Sequence, residues 1–328
     1  MMFDVVSLGP ARMDCFVFLP EEEMLQVCSI DQQRCMIELG FGDKIPVTKM
    51  QFEIGGNTGN NAVGLARLGY KTAMVGTMGD QWVDLRALEV LKQEGVNVEH
   101  VVLEKGSFGF GVIINYRGER TILSYYPDAE CDFSIKDKDV AAGWAYLTTA
   151  GQNYECFYED AVKWVKETGT KLVFNPGSRQ IKDGVEKLRY AYEAAELLFV
   201  NREEAAKLIG RDPGDEIKEL LSGLRGVGSK QVVITDGPAG AYSHDGGKYW
   251  YMPTMEAPVV ERTGAGDAFG SGFMGAMLTG KPVEECLKWG ACNSASVLGY
   301  VGPQAGLLTI EKMGEWLGKN AGVEAKEI

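Results

Sequence analysis

The sequence predicts an α/β fold: a doubly wound, mostly parallel sheet flanked by helices, with a small antiparallel β lid. Three observations carry this. Apolar runs of strand length alternate with segments of helical period along most of the 328 residues. Glycines stand just past the helical segments, where helices stop. Two further regions break the rhythm with in-out alternation of their own, the pattern of antiparallel strands.

In chain order, "FDVVSLG" is a buried strand ending at Gly9. "NTGNNAVGLARLG" is a helix closed by Gly69, followed by the strand "TAMVGTMG". "LRALEVLKQEG" is a helix with Gly95 beyond its end. The series continues with helix "ECFYEDAVKWVKETG", strand "KLVFNPG", a helix around residues 183–195, strand "LLFVN", helix "REEAAKLIG" and strand "QVVITDG". Residues 283–299 and 310–318 read as helices. Repeated βα units of this kind imply a parallel sheet covered on both faces. The exceptions are "CFVFLP" with residues 44–54, and "FGFGVIINYRGERTILSYY", whose Tyr116-Arg117-Gly118-Glu119 looks like a hairpin turn. They place lid strands within about 12–54 and 107–127, over a site or as an edge hairpin. Residues 21–43 have weak periodicity and receive no assignment. With no repeat and no evident linker, one domain is expected over residues 1–328.

Composition narrows the function. A charged content of 24% and a hydrophobic content of 45% are those of a globular protein. The net charge of -13 argues against nucleic acid or an anionic membrane as partner. It leaves room for a phosphorylated ligand held by backbone amides and magnesium. Seven cysteines (15, 28, 35, 131, 156, 286 and 292) form no CxxC, and with only His100 and His244 they argue against a zinc site. Reduced thiols in a cytoplasmic protein are expected. The N-terminus enters a strand at once, with no basic leader and no long apolar run, so neither a signal peptide nor a membrane span is expected.

Three motifs carry chemistry. "ERTGAGDAFGSGFMGAML", Glu261 to Leu278, runs a glycine-rich turn into a helix with Asp267 at its start. Asp267 is either an ordinary cap or a base beside a helix N-terminus that receives an anion. A Walker A loop is absent, and so is G-x-G-x-x-G. "GGNTGNNA", Gly55 to Ala62, frees the backbone with two glycines and then offers Asn60 and Asn61, which suit a polyhydroxy ligand or simply open a helix. In "NREE", Asn201 and Glu204 could share a hydrated magnesium, or form a capping box.

Taken together, the order and spacing of these motifs resemble the PfkB carbohydrate kinases of the ribokinase-like family, over nearly the whole chain. "FEIGGNTGNNAVGLARLG" and "ERTGAGDAFGSGFMGAML" look like the family's two signatures. "LLFVNREEAAKLIG" is similar to its N-x-x-E segment, and "VVITDGPAGA" to its T-x-G nucleotide segment. The resemblance implies ATP-dependent phosphorylation of a hydroxymethyl group on a small sugar, with a nucleoside kinase as the alternative and a non-catalytic sensor as a remoter one. It implies Asp267 as base and the amides of Gly264, Ala265 and Gly266 as anion hole. Asp14, Gly56 and Asn60 would contact the acceptor. Asn201 and Glu204 would organise Mg2+ through water, and Thr235, Gly237 and Asn293 would lie along ATP. A homodimer through the β lid is the assembly to expect.

The chain departs from the family's pattern in five places. Arg12 stands where Asn is frequent, and a guanidinium there would favour an anionic acceptor or else point to solvent. Asn57 follows the double glycine where a basic residue is frequent. Glu261 replaces an Asp near a monovalent-cation site, which leaves potassium activation open. Asp84 replaces a glycine, and Gln304 replaces part of a late Gly-Ala pair. Aromatic lid residues such as Phe108, Phe110 or Tyr125 would suit a nucleoside base, or form lid core.

Overall fold

The computed structural model describes residues 2–20, 25–28, 35–117, 119–126, 133, 135, 140–151 and 153–328. Ten strands form one sheet. Their order is Lys326–Glu327, Tyr249–Met252, Ala241–His244, Gln231–Thr235, Ala195–Asn201, Lys171–Phe174, Ala141–Leu147, Met2–Leu8, Thr72–Gly79 and Asn97–Glu104. The seven strands from Gln231–Thr235 to Asn97–Glu104 pair parallel, and the three at the opposite edge pair antiparallel.

A parallel sheet of this kind needs apolar side chains on both faces, because helices cover both. Strand Met2–Leu8 shows why its sequence runs continuously apolar. Val6 and Leu8 pack with Tyr158, Leu172 and Leu188 on one face, while Val5 packs with Leu65, Phe273 and Leu287 on the other. All of these side chains are fully buried.

The lid is a separate four-stranded sheet in the order Lys49–Gly55, Arg12–Phe18, Phe110–Tyr116, Glu119–Tyr125. Its outer pairs run antiparallel and its central pair, Arg12–Phe18 with Phe110–Tyr116, runs parallel. This register sets Asp14 between Glu53 on one side and Gly111 on the other. Tyr116 pairs with Glu119 as a tight hairpin requires, and Arg117 adopts φ 50. Gly118 of that turn lies outside the described residues. A third cluster, with Ala11, Met13, Ile54, Met78, Leu91 and Ala268, joins the lid's base to the main body.

Within residues 21–43, to which the periodicity assigns nothing, Leu25–Cys28 and Cys35–Glu38 pair antiparallel. Cys15, Cys286 and Cys292 are free thiols, but Cys156 is disulfide-bonded, so the expectation of reduced thiols fails at that position.

Candidate active site

The parallel strands set up the site by ending in a row. Gly9, Thr148, Asn175, Asn201 and Thr235 stand at or just past the carboxyl ends of five of them, and the crevice outside such ends is where open α/β sheets bind ligands. Asn175 Oδ1 gathers donors from Asn57 (3.2 Å), Tyr146 (3.1 Å) and Thr148 (3.4 Å), while its Nδ2 donates to the Phe199 carbonyl.

The helix Ala265–Leu278 starts over this crevice. Its N-cap is Gly264, at φ 82, and a Cβ there would lie 2.2 Å from that of Pro303, so only glycine fits. The Ala265 N–H closes a turn onto the Arg262 carbonyl at 3.3 Å. Gly266 and Asp267 have N–H groups with no acceptor inside the helix, and the space over Gly266 is open. These amides and the positive end of the helix dipole make a place for an anion.

Asp267 is held from across the chain. Asn60 Nδ2 donates to Asp267 Oδ2 at 2.8 Å, and Gln304 Nε2 donates to Asn60 Oδ1 at 3.1 Å. The side chain of Gln304 therefore fixes which end of the Asn60 amide faces Asp267. Burial pushes the Asp267 carboxyl up to about 6, the nearby Asp14 charge adds to this, and the Asn60 bond opposes it. Only the ionised form can accept a proton. kcat/KM is therefore expected to rise with pH through about 6 and then level. A profile flat from about pH 5 to 8 would remove Asp267 from that role. Stability runs the opposite way. The folded carboxyl binds its proton more tightly than the ordinary 3.8, so its contribution is present below 3.8 and is lost as pH rises through about 6.

Asp14 sits on the lid side. Arg12 Nε donates to its Oδ1 at 2.7 Å, and both side chains are buried. Burial raises the Asp14 carboxyl and the Arg12 guanidinium pulls it back. A Cβ on Gly55 or on Gly111 would fall within about 2 Å of an Asp14 oxygen, so the carboxylate is clasped between two bare backbones. Arg12 thus does not point to solvent. Gly56 caps the helix Asn57–Arg67 beside it. Asn61, the other asparagine of the motif, is fully buried and structural, accepting from Ser7 Oγ and donating to Met274 Sδ.

On the opposite side, Asn201 and Glu204 form the capping box in full: Asn201 Oδ1 accepts from the Glu204 N–H at 2.8 Å, and Glu204 Oε2 from the Asn201 N–H at 2.9 Å. Burial raises the Glu204 carboxyl, the Asn201 N–H bond opposes this, and the charge of nearby Asp267 adds to the rise. Between them Arg202 pairs with Asp236 at 2.7 Å, tying this helix start to the turn that carries Thr235 and Gly237. Asn293 does not belong to this surface. It is fully buried, its Nδ2 donates to the Ala268 carbonyl and Ser271 Oγ, and its Oδ1 accepts from the Leu308 N–H. With both ends of its amide engaged it braces the helix Ala265–Leu278 from behind.

The profile of the pfkB family carbohydrate kinases matches residues 24–310. The chain belongs to this family. Among curated relatives, 5-dehydro-2-deoxygluconokinase of Clostridium tetani is 27% identical over 75% of this chain and 78% of its own length. Cytidine kinase of Thermococcus kodakarensis is 27% identical over 74% of this chain and 87% of its own. A solved structure of Arabidopsis thaliana ribokinase complexed with ribose and ATP superposes with a TM-score of 0.78, covering 97% of this chain and 99% of that one at 22% identity, which establishes the fold.

As a pfkB kinase the chain has an acceptor side whose full extent its motifs do not reveal. A cavity of about 60 Å3 opens beside Arg12, walled by Met78, Asp84, Tyr126, Tyr154 and Phe157 among others. Asp267 and Asn60 are not among its walls. Asp84 is buried and accepts from the Gly109 N–H at 3.3 Å. The aromatics expected over a base lie elsewhere. Phe108 and Tyr125 are 40% and 52% exposed and pack on each other, and Phe110 packs into the lid's base. Asn175, Arg202 and Tyr126 were not singled out in the sequence. The first two had a signal, since one ends a parallel strand and the other lies inside "NREE". Tyr126 had none.

Proposed function

We propose that this pfkB kinase transfers the terminal phosphoryl group of ATP to a hydroxymethyl group of a small sugar or sugar-like acceptor, with Asp267 as general base. The observation that carries the reading is the Asp267 carboxyl, raised to about 6 and aimed by Asn60, beside the free amides of a helix N-terminus. Asp267 takes the hydroxyl proton as the oxygen attacks. Asn60 and Gln304 hold the carboxyl in the orientation that leaves Oδ1 free for it. The amides of Gly266 and Asp267 face the negative charge of the transferring group, and Gly264 sets their direction. Such transfer depends on positioning and charge neutralisation rather than on covalent chemistry by the protein.

ATP fits the row of strand ends with Thr235 and Gly237, and no Cβ-sized obstacle stands over Gly237. Bound Mg2+ would supply neutralisation of phosphate charge. Among the described residues no three His, Cys, Asp or Glu side chains gather closely enough to hold a metal by themselves. Asn201 and Glu204 therefore fit a hydrated ion shared with phosphates, and the mutual repulsion of Glu204 and Asp267 favours a cation between them. Glu204→Gln is expected to raise the magnesium concentration for half-maximal rate while leaving the melting temperature nearly unchanged, because Gln still completes the capping box. An unaltered magnesium dependence, with the melting temperature also unchanged, would restrict Glu204 to capping. We propose no potassium site at Glu261. That carboxylate already accepts from the Thr263 N–H and Oγ1 at 2.9 and 2.6 Å, and Arg120 faces it at 4.0 Å.

A nucleoside acceptor is the second reading, supported by the aromatic walls of the cavity beside Arg12. ADP release measured over a panel of sugars and nucleosides tests both; release with no member of the panel would overturn the kinase reading. We place the enzyme in the cytoplasm, where ATP is plentiful. Among the described residues no helix is long and apolar enough to cross a membrane. We also propose a homodimer through the lid, whose strands expose Met50, Phe52, Ile122, Leu123 and Tyr125. Sedimentation is expected to give twice the chain mass for the native protein and a single mass for Leu123→Glu; a native monomer at all concentrations would remove the proposal.

A further inference from the structure

We infer that Arg67, fixed by Glu94, is a positioning residue for Asp267 and acts on it through residues 303–308; this rests on the kinase reading and adds what sets the aim of its base. Residues 303–308 form neither helix nor strand, yet both halves of the transfer centre lean on them. Pro303 lies against the N-cap Gly264, where an added Cβ would come within 2.2 Å of the proline's own. Gln304 Nε2 holds the Asn60 amide, whose Nδ2 donates to Asp267. An irregular segment has no backbone ladder of its own, so its position comes from specific anchors.

Arg67 is the charged anchor. Its Nη1 donates to the carbonyls of Gln304 and Leu307 at 2.6 and 3.2 Å. Its Nε and Nη2 donate to the two carboxylate oxygens of Glu94, both at 2.8 Å. Two bonds thus run to the segment and two to Glu94, the C-cap of the helix Trp82–Gln93. A planar guanidinium can fork in both directions, and a lysine ammonium cannot. The Arg67 bonds in turn hold the Glu94 carboxyl below the usual carboxylate range, which keeps the pair ionised. From the other side Asn293 Oδ1 accepts from the Leu308 N–H at 2.9 Å. Gly306 is pressed against the helix Val283–Val297, where an added Cβ would lie 2.6 Å from the Ser296 carbonyl.

Arg67 and Asn60 sit seven residues apart on the helix Asn57–Arg67, about 10 Å along its axis. One helix therefore carries the amide that touches the base and the cation that fixes the segment which turns that amide. Were the segment to slip, the Asn60 amide would be free to turn its oxygen toward the carboxylate, and Asp267 would lose its donor and its direction. Gln304 stands where the family's pattern has part of a Gly-Ala pair, residues with no hydrogen-bonding side chain. This means of aiming the base belongs to this chain.

Two measurements test it. The first needs no turnover: side-chain amide spectra of protein carrying isotope-labelled asparagine, with the Asn60 signal assigned by its loss in Asn60→Ala. Arg67→Met is expected to shift or broaden the Asn60 signal from two helical turns away. The signal of Asn61, whose amide engages Ser7 and Met274 instead, is expected to stay. The second is kinetic. Arg67→Met and Gln304→Met are each expected to lower kcat about tenfold with KM nearly unchanged, inside the range of about 10²–10⁴ that a base supplies. The double variant is expected to lose no more than the worse single one, as residues acting in series do. In the Asp267→Asn protein neither change is expected to slow the residual rate further, because no base remains to aim. An Asn60 signal that Arg67→Met leaves unmoved, or that moves together with Asn61, overturns the inference, as does an equal loss of rate with and without Asp267. If Arg67→Met fails to fold, Arg67→Lys keeps the charge without the fork and is read by the same outcomes. No ADP release by the native enzyme would sink the kinase reading alone, since the spectra still decide whether Arg67 sets the Asn60 amide.

Discussion

Asp267→Asn should lower kcat by about 10²–10⁴-fold while the protein keeps its fold, the usual contribution of a general base. The asparagine has the same shape, and Asn60 can still donate to its oxygen as it now does to Oδ2 at 2.8 Å. What is lost is the proton acceptor. The helix amides and the rest of the site remain, so residual transfer is expected rather than none. The loss should appear in kcat and kcat/KM alike, since the proton moves only in the transition state. A variant that turns over at the native rate would show that the hydroxyl proton leaves by another route. One that loses binding but keeps kcat would show that Asp267 holds substrate only.

Arg12→Ala is expected to be the most destabilising single change at this site. It leaves Asp14 buried between the Gly55 and Gly111 backbones with no counter-charge. Breaking a buried pair in this way costs about 3–5 kcal/mol. The carboxyl can escape by taking a proton, which at pH 7 costs about 4 kcal/mol for an ordinary aspartate, so the electrostatic loss is capped near that value, inside the range. This escape becomes easier as pH falls. The deficit relative to the native protein should therefore shrink between about pH 7 and pH 4, and thermal melts across that range read it directly. A deficit below about 1 kcal/mol, or one independent of pH, would mean that Asp14 is not held by Arg12 in solution.

The legibility of this chain varied with the physics behind each element. The strand Met2–Leu8 and the helix Glu155–Thr168 were plain because one is apolar throughout and the other has a strong apolar stripe closed by glycine. The strand Ala141–Leu147 escaped notice: "AAGWAYL" is rich in alanine and glycine, poor strand formers that only the surrounding sheet makes extended. The helix Ile217–Gly226 was missed for a related reason, since it has no side-chain cap and carries two glycines. Within the site, Asp267 and Asn60 stand out from their own motifs, while Asp14 came only through the family resemblance. Asn293 did not follow, because its motif position says nothing about which way its amide faces, and it faces inward. Asp84 and Gln304 were visible only as departures from a pattern. Their use depends on side chains that meet from distant parts of the chain, which no local window reports.

The relay from Gln304 through Asn60 to Asp267 joins residues separated by 244 and 207 positions. A ribosome delivers Asn60 long before Gln304. Until the segment carrying Gln304 emerges and docks, the Asn60 amide lacks the donor that sets its direction, and the carboxylate it should aim is itself newly made. A nascent or prematurely terminated chain therefore carries the row of strand ends without the Asn60 amide set toward Asp267. The enzyme's competence is in this sense tied to synthesis through Gln304, and fragments ending before it should accumulate as inert protein rather than as unregulated consumers of ATP.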